Sequence, residues 1–206
     1  VKGHLLEIGV EDLAFTADEI DTLFRTLYKV PLAPADVERL ARETEGWVIA
    51  LQMIWKALES GSVASLQDVW TALPEALDPL FDYLAKEVLD RTSPERRHFL
   101  LVTSVLRSMT PDVCDAMLGW HGSETTLREL CDDGLFVHQT GPQEYRYQHL
   151  FQDFLQGQLA THGMSRRDLH RQAARYYVHA GAAEEAIIHF LAANDFVPSA
   201  EIIASL

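Results

Sequence analysis

The chain has 206 residues, 48% of them hydrophobic, and 31 acidic side chains against 17 basic ones give it a net charge of −14. That length suits one large domain or two small ones. No apolar run approaches the roughly 18 residues of a membrane span and no basic-then-apolar leader is present, so membrane and secreted classes are not expected. So acidic a surface also repels nucleic-acid phosphates, whose sequence-independent affinity comes from Lys and Arg displacing counterions.

With Val1 in place of Met the chain is expected to be a piece of something longer, and Leu5 to Val10 reads as a short strand parted from its sheet. Helices dominate after it. Thr16-Ala17-Asp18-Glu19 is a capping box opening a helix whose apolar face is Ile20, Leu23, Phe24 and Leu27. Pro34 opens the next, with Val37, Leu40 and Ala41 inside and a stop near Gly46. Trp47, Leu51, Ile54, Trp55 and Leu58 stripe a third helix ending by Gly61, and Ser60 to Ser65 reads as a linker. Trp47, Trp55 and Trp70 are expected in the core.

A helix of Phe81, Leu84, Val88 and Leu89 begins at Asp78-Pro79. Ser93-Pro94-Glu95 then starts a helix carrying Phe99, Leu100, Val102 and Val105, with Ser as cap and Pro in the first turn. Thr110-Pro111 starts a short helix that breaks at Gly119, and Ser123 caps another bearing Leu127, Leu130 and Cys131 and closed by Gly134. Strands over Leu135 to Gln139 and Glu144 to Gln148 flank the turn tetrapeptide Thr140-Gly141-Pro142-Gln143. Helix, helix, helix, hairpin is the winged-helix order. At the end of the hairpin the period changes: Tyr145 and Tyr147 alternate as in a strand, whereas Leu150, Phe151, Phe154 and Leu155 recur as in a helix. Gln148 and His149 sit at the switch, where free backbone N–H groups can meet a phosphate.

From Arg166 the chain reads as two helical pairs, with Ala173, Ala174, Tyr177 and Gly181 on one helix and Ala186, Ile187, Phe190 and Ala193 on the next. This pattern has the character of a tetratricopeptide-type repeat, which needs neighbours to bury its face. The fold class is therefore mainly α: a helical subdomain, a winged helix of three helices plus a β-hairpin, and the start of a helical solenoid.

Few residues point to chemistry. The third winged-helix segment, Glu124 to Asp133, has one Arg against four carboxylates, the reverse of what phosphate contacts need, so it is not expected to read DNA. Arg167, Arg171 and Arg175, with Arg166 beside them, make a basic face that either pairs with acidic neighbours or docks an acidic partner. Neither HExxH nor CxxC occurs among the nine histidines and two cysteines, so no metal is expected. GxSxG, GxxxxGK[ST] and GxGxxG are missing too, so the chain is expected to be no enzyme and to hold no nucleotide by itself. Two cysteines are too few for a disulfide framework and fit a reduced cytoplasmic setting.

Taken in order, several short stretches resemble one family. They are Leu5-Leu6-Glu7-Ile8-Gly9 with Asp12-Leu13-Ala14-Phe15, Glu45-Gly46-Trp47 with Ala50-Leu51-Gln52, and Asp82-Tyr83-Leu84 with Glu87-Val88-Leu89-Asp90. His98 to Leu101, Val105 to Met109, Gly134-Leu135-Phe136, Tyr145 to Leu155, Leu169-His170-Arg171 and Glu185 to His189 continue the series. Together they resemble the MalT-like activators, large ATP-binding LuxR-type transcriptional regulators of the STAND class of signal-transduction NTPases. The resemblance implies residues 1–14 as the tail of a nucleotide-binding domain, 15–62 as a helical lid, 63–163 as a winged-helix domain and 164–206 as the first helices of a TPR-like superhelix. It implies ADP or ATP bound by an upstream P-loop domain, a downstream solenoid that senses an inducer, and self-association in the active state.

In such proteins a histidine at the start of the helix after the wing reaches the ADP β-phosphate. Aligning Tyr147, Leu150 and Phe151 puts Gln148 in that place and His149 one position on, so Gln148, His149 and Arg146 are the candidate nucleotide-contacting residues. Two rivals remain. One is an interaction module of a helical-repeat adaptor with no nucleotide role; the other keeps the STAND core but drives a kinase- or cyclase-linked output.

Overall fold

The computed structural model describes residues 13–59, 77–134 and 136–205. The expected strand at Leu5 to Val10, the linker at Ser60 to Ser65, Trp70 and Leu135 lie outside them. The chain divides into two compact units, Val1–Arg91 and Thr92–Leu206.

In the first unit α1 (Ala17–Thr22) starts at the capping box: Thr16 Oγ1 accepts the Glu19 N–H, and Glu19 Oε2 accepts the Thr16 N–H at 2.9 Å. The helix widens into a π-helical turn, Leu23–Leu27. α2 (Pro34–Thr44) and α3 (Val48–Glu59) complete a core of Ile20, Phe24, Val37, Leu40, Leu51 and Ile54. Trp55 is partly buried and stacks on Tyr28 with ring centroids 4.2 Å apart. Leu27 departs from its expected inward place and is 68% exposed. The π turn explains this: Tyr28 N–H bonds to Leu23 O, five residues back, so the extra residue carries Leu27 off the inner face and brings Tyr28 toward it.

The same device recurs later in that unit. Residues 77–84 are helical, already at Leu77 rather than from Asp78-Pro79, and run into a π turn, Ala85–Leu89. Its buried side chains are Leu77, Leu80, Leu84 and Leu89, the last two five apart, whereas Phe81 and Val88 are only partly buried.

The second unit holds α4 (Pro94–Thr103), α5 (Pro111–Leu118), α6 (Ser123–Asp132), β1 (Val137–Gly141), β2 (Glu144–Tyr147) and α7 (His149–Gln158). Ser93 and Thr110 cap α4 and α5 through their hydroxyls, with proline in each first turn. Ser123 does not cap α6. Gly122 holds that position, and the Ser123 N–H is met at 3.0 Å by Asp115 of α5, a tertiary cap. The hairpin pairs Val137 with Tyr147 and His138 with Arg146, and it turns tightly at Pro142-Gln143, with Gln143 at φ 58°. Gly141 therefore belongs to the first strand, and Gln148 lies beyond the second. Met109 adds a third edge by exchanging two backbone hydrogen bonds with Tyr145. Strand alternation holds: Tyr145 and Tyr147 are buried, Glu144 and Arg146 exposed. The Tyr147 hydroxyl shares a buried 2.7 Å hydrogen bond with Thr103.

α8 (Arg166–His179), α9 (Ala183–Ala192) and α10 (Phe196–Ser205) follow. Ala173, Ala174, Ala186 and Ala193 are fully buried, and such small side chains let neighbouring backbones approach closely. The expected two helical pairs are three helices among the described residues, and Gly181 sits in the α8–α9 turn at φ 74°. No helix among the described residues is long and apolar enough to cross a membrane.

Candidate functional site

The junction between β2 and α7 is built by Gln148. Its backbone is extended, its N–H donates to Phe136 O at 2.7 Å, and its side-chain Oε1 accepts the Phe151 N–H at 2.8 Å. Gln148 is thus the N-cap of α7 and 5% exposed, so its carbonyl oxygen satisfies one of the free N–H groups of the helix start. The packing beneath is aromatic: the Phe151 ring lies 4.7 Å from that of Phe136, 6.0 Å from Tyr147 and 5.9 Å from Phe154.

The outer side differs. Arg146 is exposed on β2. His149 opens α7 with its side chain 46% exposed and its Nε2 3.7 Å from Asp153. Of the three candidates, then, Gln148 faces the interior, His149 is half exposed at the N-terminus of α7, and Arg146 is exposed on β2. An imidazole at that end suits an anionic group, because the helix dipole adds partial positive charge there.

Two side chains that pattern reading passed over hold α7 in place. Gln152 Nε2 donates to Ser104 O and Leu106 O, and Gln156 Nε2 to Ser104 O, each at 2.8 Å. They close the C-terminal end of α4, and the only trace in the sequence is a pair of glutamines four apart beside the apolar stripe. The lone Arg128 of α6 is engaged by Glu124 at 2.8 Å, four residues back on its own helix.

Two of the four arginines on the basic face of α8 are engaged within the fold, while Arg166 is exposed. Arg171 forms a two-point ion pair with Asp195 in the α9–α10 turn, and Arg167 reaches both Asp195 and Ala193 O. The Arg171 hydrogen bond holds the Asp195 carboxyl down at about 2. Arg175 stays exposed. Internal pairing, one of the two expectations for this face, is the one realised at Arg167 and Arg171. Cys114 and Cys131 are free thiols, and burial raises that of Cys114 far above its ordinary range. Among the described residues no group of three His, Cys, Asp or Glu is placed to hold a metal.

Three helices, a hairpin with a third edge at Met109, and a helix closing over it are a winged helix, and the family description "MalT winged helix domain" matches residues 85–168. Its winged helix is of the MalT type, and the chain as a whole resembles MalT proteins. It is 36% identical over 201 residues to the HTH-type transcriptional regulator MalT of Serratia proteamaculans, covering 95% of this chain and 22% of that protein. MalT of Yersinia enterocolitica is 34% identical over 198 residues, again 95% and 22%. The serine/threonine-protein kinase PknK of Mycobacterium tuberculosis is 33% identical over 206 residues, 98% of this chain and 18% of that protein. The MalT-like chain therefore spans about a fifth of the length of these relatives, which are much larger proteins.

Proposed function

We propose that this MalT-like chain is the regulatory middle of an ATP-dependent transcription activator. Its lid and winged helix close over ADP or ATP held by an upstream P-loop domain, and its last helices begin a TPR-like superhelix that senses an inducer. In this reading the nucleotide and inducer together bias a two-state element between a closed form and a self-associating form. The segment itself neither hydrolyses ATP nor binds DNA, and the protein works in the cytoplasm. The observation that carries the reading is similarity to MalT through 95% of the chain.

Within it, His149, with Arg146 beside it, is the phosphate contact, and Gln148 is the cap that starts the helix. Charge-assisted hydrogen bonds are worth about 1.5–3 kcal/mol. His149→Ala in the full-length protein should therefore weaken ADP binding by roughly ten- to a hundredfold in titration calorimetry. Gln148→Ala should cost about 1 kcal/mol of stability while the folded protein keeps its ADP affinity. Unchanged affinity in His149→Ala removes His149 from the site; no ADP binding by the full-length protein removes the nucleotide reading altogether.

A kinase-linked output has its own support, because PknK aligns with 98% of the chain. On that reading the same middle segment serves a phosphotransfer output rather than a promoter-binding one. Phosphorylation of a protein substrate by the full-length parent, assayed with radiolabelled ATP, separates the two.

A further inference from the structure

α8 and α9 pack through alanines, yet two histidines are buried in the same interface. His170 and His189 are 7% and 2% exposed, and their Nδ1 atoms lie 2.9 Å apart. Two ring nitrogens at that distance share a hydrogen bond only if one carries a hydrogen and the other a lone pair, so the rings hold opposite tautomers. The far nitrogens decide which. His170 Nε2 is buried without a hydrogen-bond partner among the described residues. An orphaned buried N–H is rarer than an under-used acceptor. His170 therefore carries its hydrogen on Nδ1 and donates it, and His189 accepts on Nδ1 and carries its own hydrogen on Nε2.

This arrangement has no inexpensive place for another proton. Adding one to His189 Nδ1 sets N–H against N–H and breaks the bond. Adding one to His170 Nε2 buries an unpartnered charge. The surroundings sharpen the point. Arg166 on α8 bears on His170, and Arg107 from the α4–α5 connection bears on His189. Tyr177 stacks on His189 with centroids 5.4 Å apart. Glu185 of α9 acts on Tyr177, and Asp112 and Cys114 of α5 act on Tyr176. Protons nevertheless have a way in: His189 lines an open cavity of about 560 Å³ with Arg107, Glu144, Glu184 and Glu185.

We propose that the His170–His189 contact is a proton-sensitive latch, holding α8 on α9 only while both rings are uncharged. It stands independently of the nucleotide reading. Burial first pushes both imidazoles from 6.5 down to about 4, with Arg166 adding to it at His170, and His170 and then Arg107 adding to it at His189. Folded values below unfolded ones mean that the contact contributes fully above pH 6.5. Its contribution drains away as pH falls from 6.5 toward 4, because the opened state takes up protons that the packed state refuses.

The test is hydrogen exchange of the full-length protein followed by mass spectrometry from pH 7.5 to 5, corrected for intrinsic rates. Opening of residues 166–192 should rise roughly tenfold or more, relative to α4 as reference. Exchange at the imidazole carbon between the two nitrogens should report titration of both rings below pH 5. His170→Gln and His189→Gln keep hydrogen-bonding groups without a titrating one, and should flatten the pH response. An unchanged slope in those variants overturns the latch. So does an equal response in α4, or a ring titrating at 6 or above. The last two are read on the unsubstituted protein, so they decide the matter even where a variant does not fold.

Discussion

Phe151→Ala is expected to lower the unfolding free energy of the winged helix by about 3–5 kcal/mol, the usual cost of emptying a well-packed phenylalanine site. The ring is fully buried and touches the hairpin through Phe136 and Tyr147 and its own helix through Phe154. Collapse of the surroundings is limited on two sides. Gln148 pins the start of α7 through the Phe151 N–H, and Gln152 and Gln156 pin its middle to the end of α4. A site that cannot relax sits at the upper end of the range. Phe151→Leu, which keeps most of the volume, should lose less than about 1.5 kcal/mol. Urea unfolding of the full-length protein, read by exchange protection in α4 and α7, measures both. A loss under about 1 kcal/mol for the alanine variant would mean that the junction is not packed as described.

What was legible in the sequence was what is encoded locally. The Thr16 capping box, the Ser93 and Thr110 caps with proline behind them, and the alternation of Tyr145 and Tyr147 each depend on side chains within a few residues of each other. The winged-helix order followed from them. The misplacements share one cause, contacts or backbone geometry that residue spacing does not carry. A 3.6-residue template put Leu27 and Val88 inside, but each lies in a π turn whose extra residue rotates the face. Ser123 was expected to cap α6, yet Gly122 holds that position and the Ser123 N–H is met by Asp115 on the previous helix. Gln148 and His149 were correctly found at the period switch, but which one faces outward is fixed by the Phe136 carbonyl and the Phe151 N–H, both set by the hairpin. The His170–His189 contact joins residues 19 apart on separate helices, and nothing in either local sequence announces it.

Gly46→Ala should destabilise the first unit by roughly 2–5 kcal/mol. Two penalties add there. Gly46 has φ 74°, where any side chain is strained by about 1–2 kcal/mol. In addition, an added Cβ would lie 2.4 Å from Phe15 O and 2.5 Å from Phe15 N, both backbone atoms that no rotamer change can move. Phe15 cannot retreat without giving up the 2.9 Å hydrogen bond from its N–H to Gly46 O, which anchors the entry to α1 across the end of α2. Gly119 supplies the control. Its φ of 68° imposes the same strain, but nothing lies within 4 Å of its would-be Cβ, so Gly119→Ala should cost only about 1–2 kcal/mol. Exchange protection of residues 17–59 in the one variant and 94–118 in the other gives both numbers. Equal losses would mean that the close approach at Phe15 is not a feature of the folded protein. A larger loss at Gly46 would give the Glu45-Gly46-Trp47 motif a physical reason: only glycine lets two backbone segments meet at that distance.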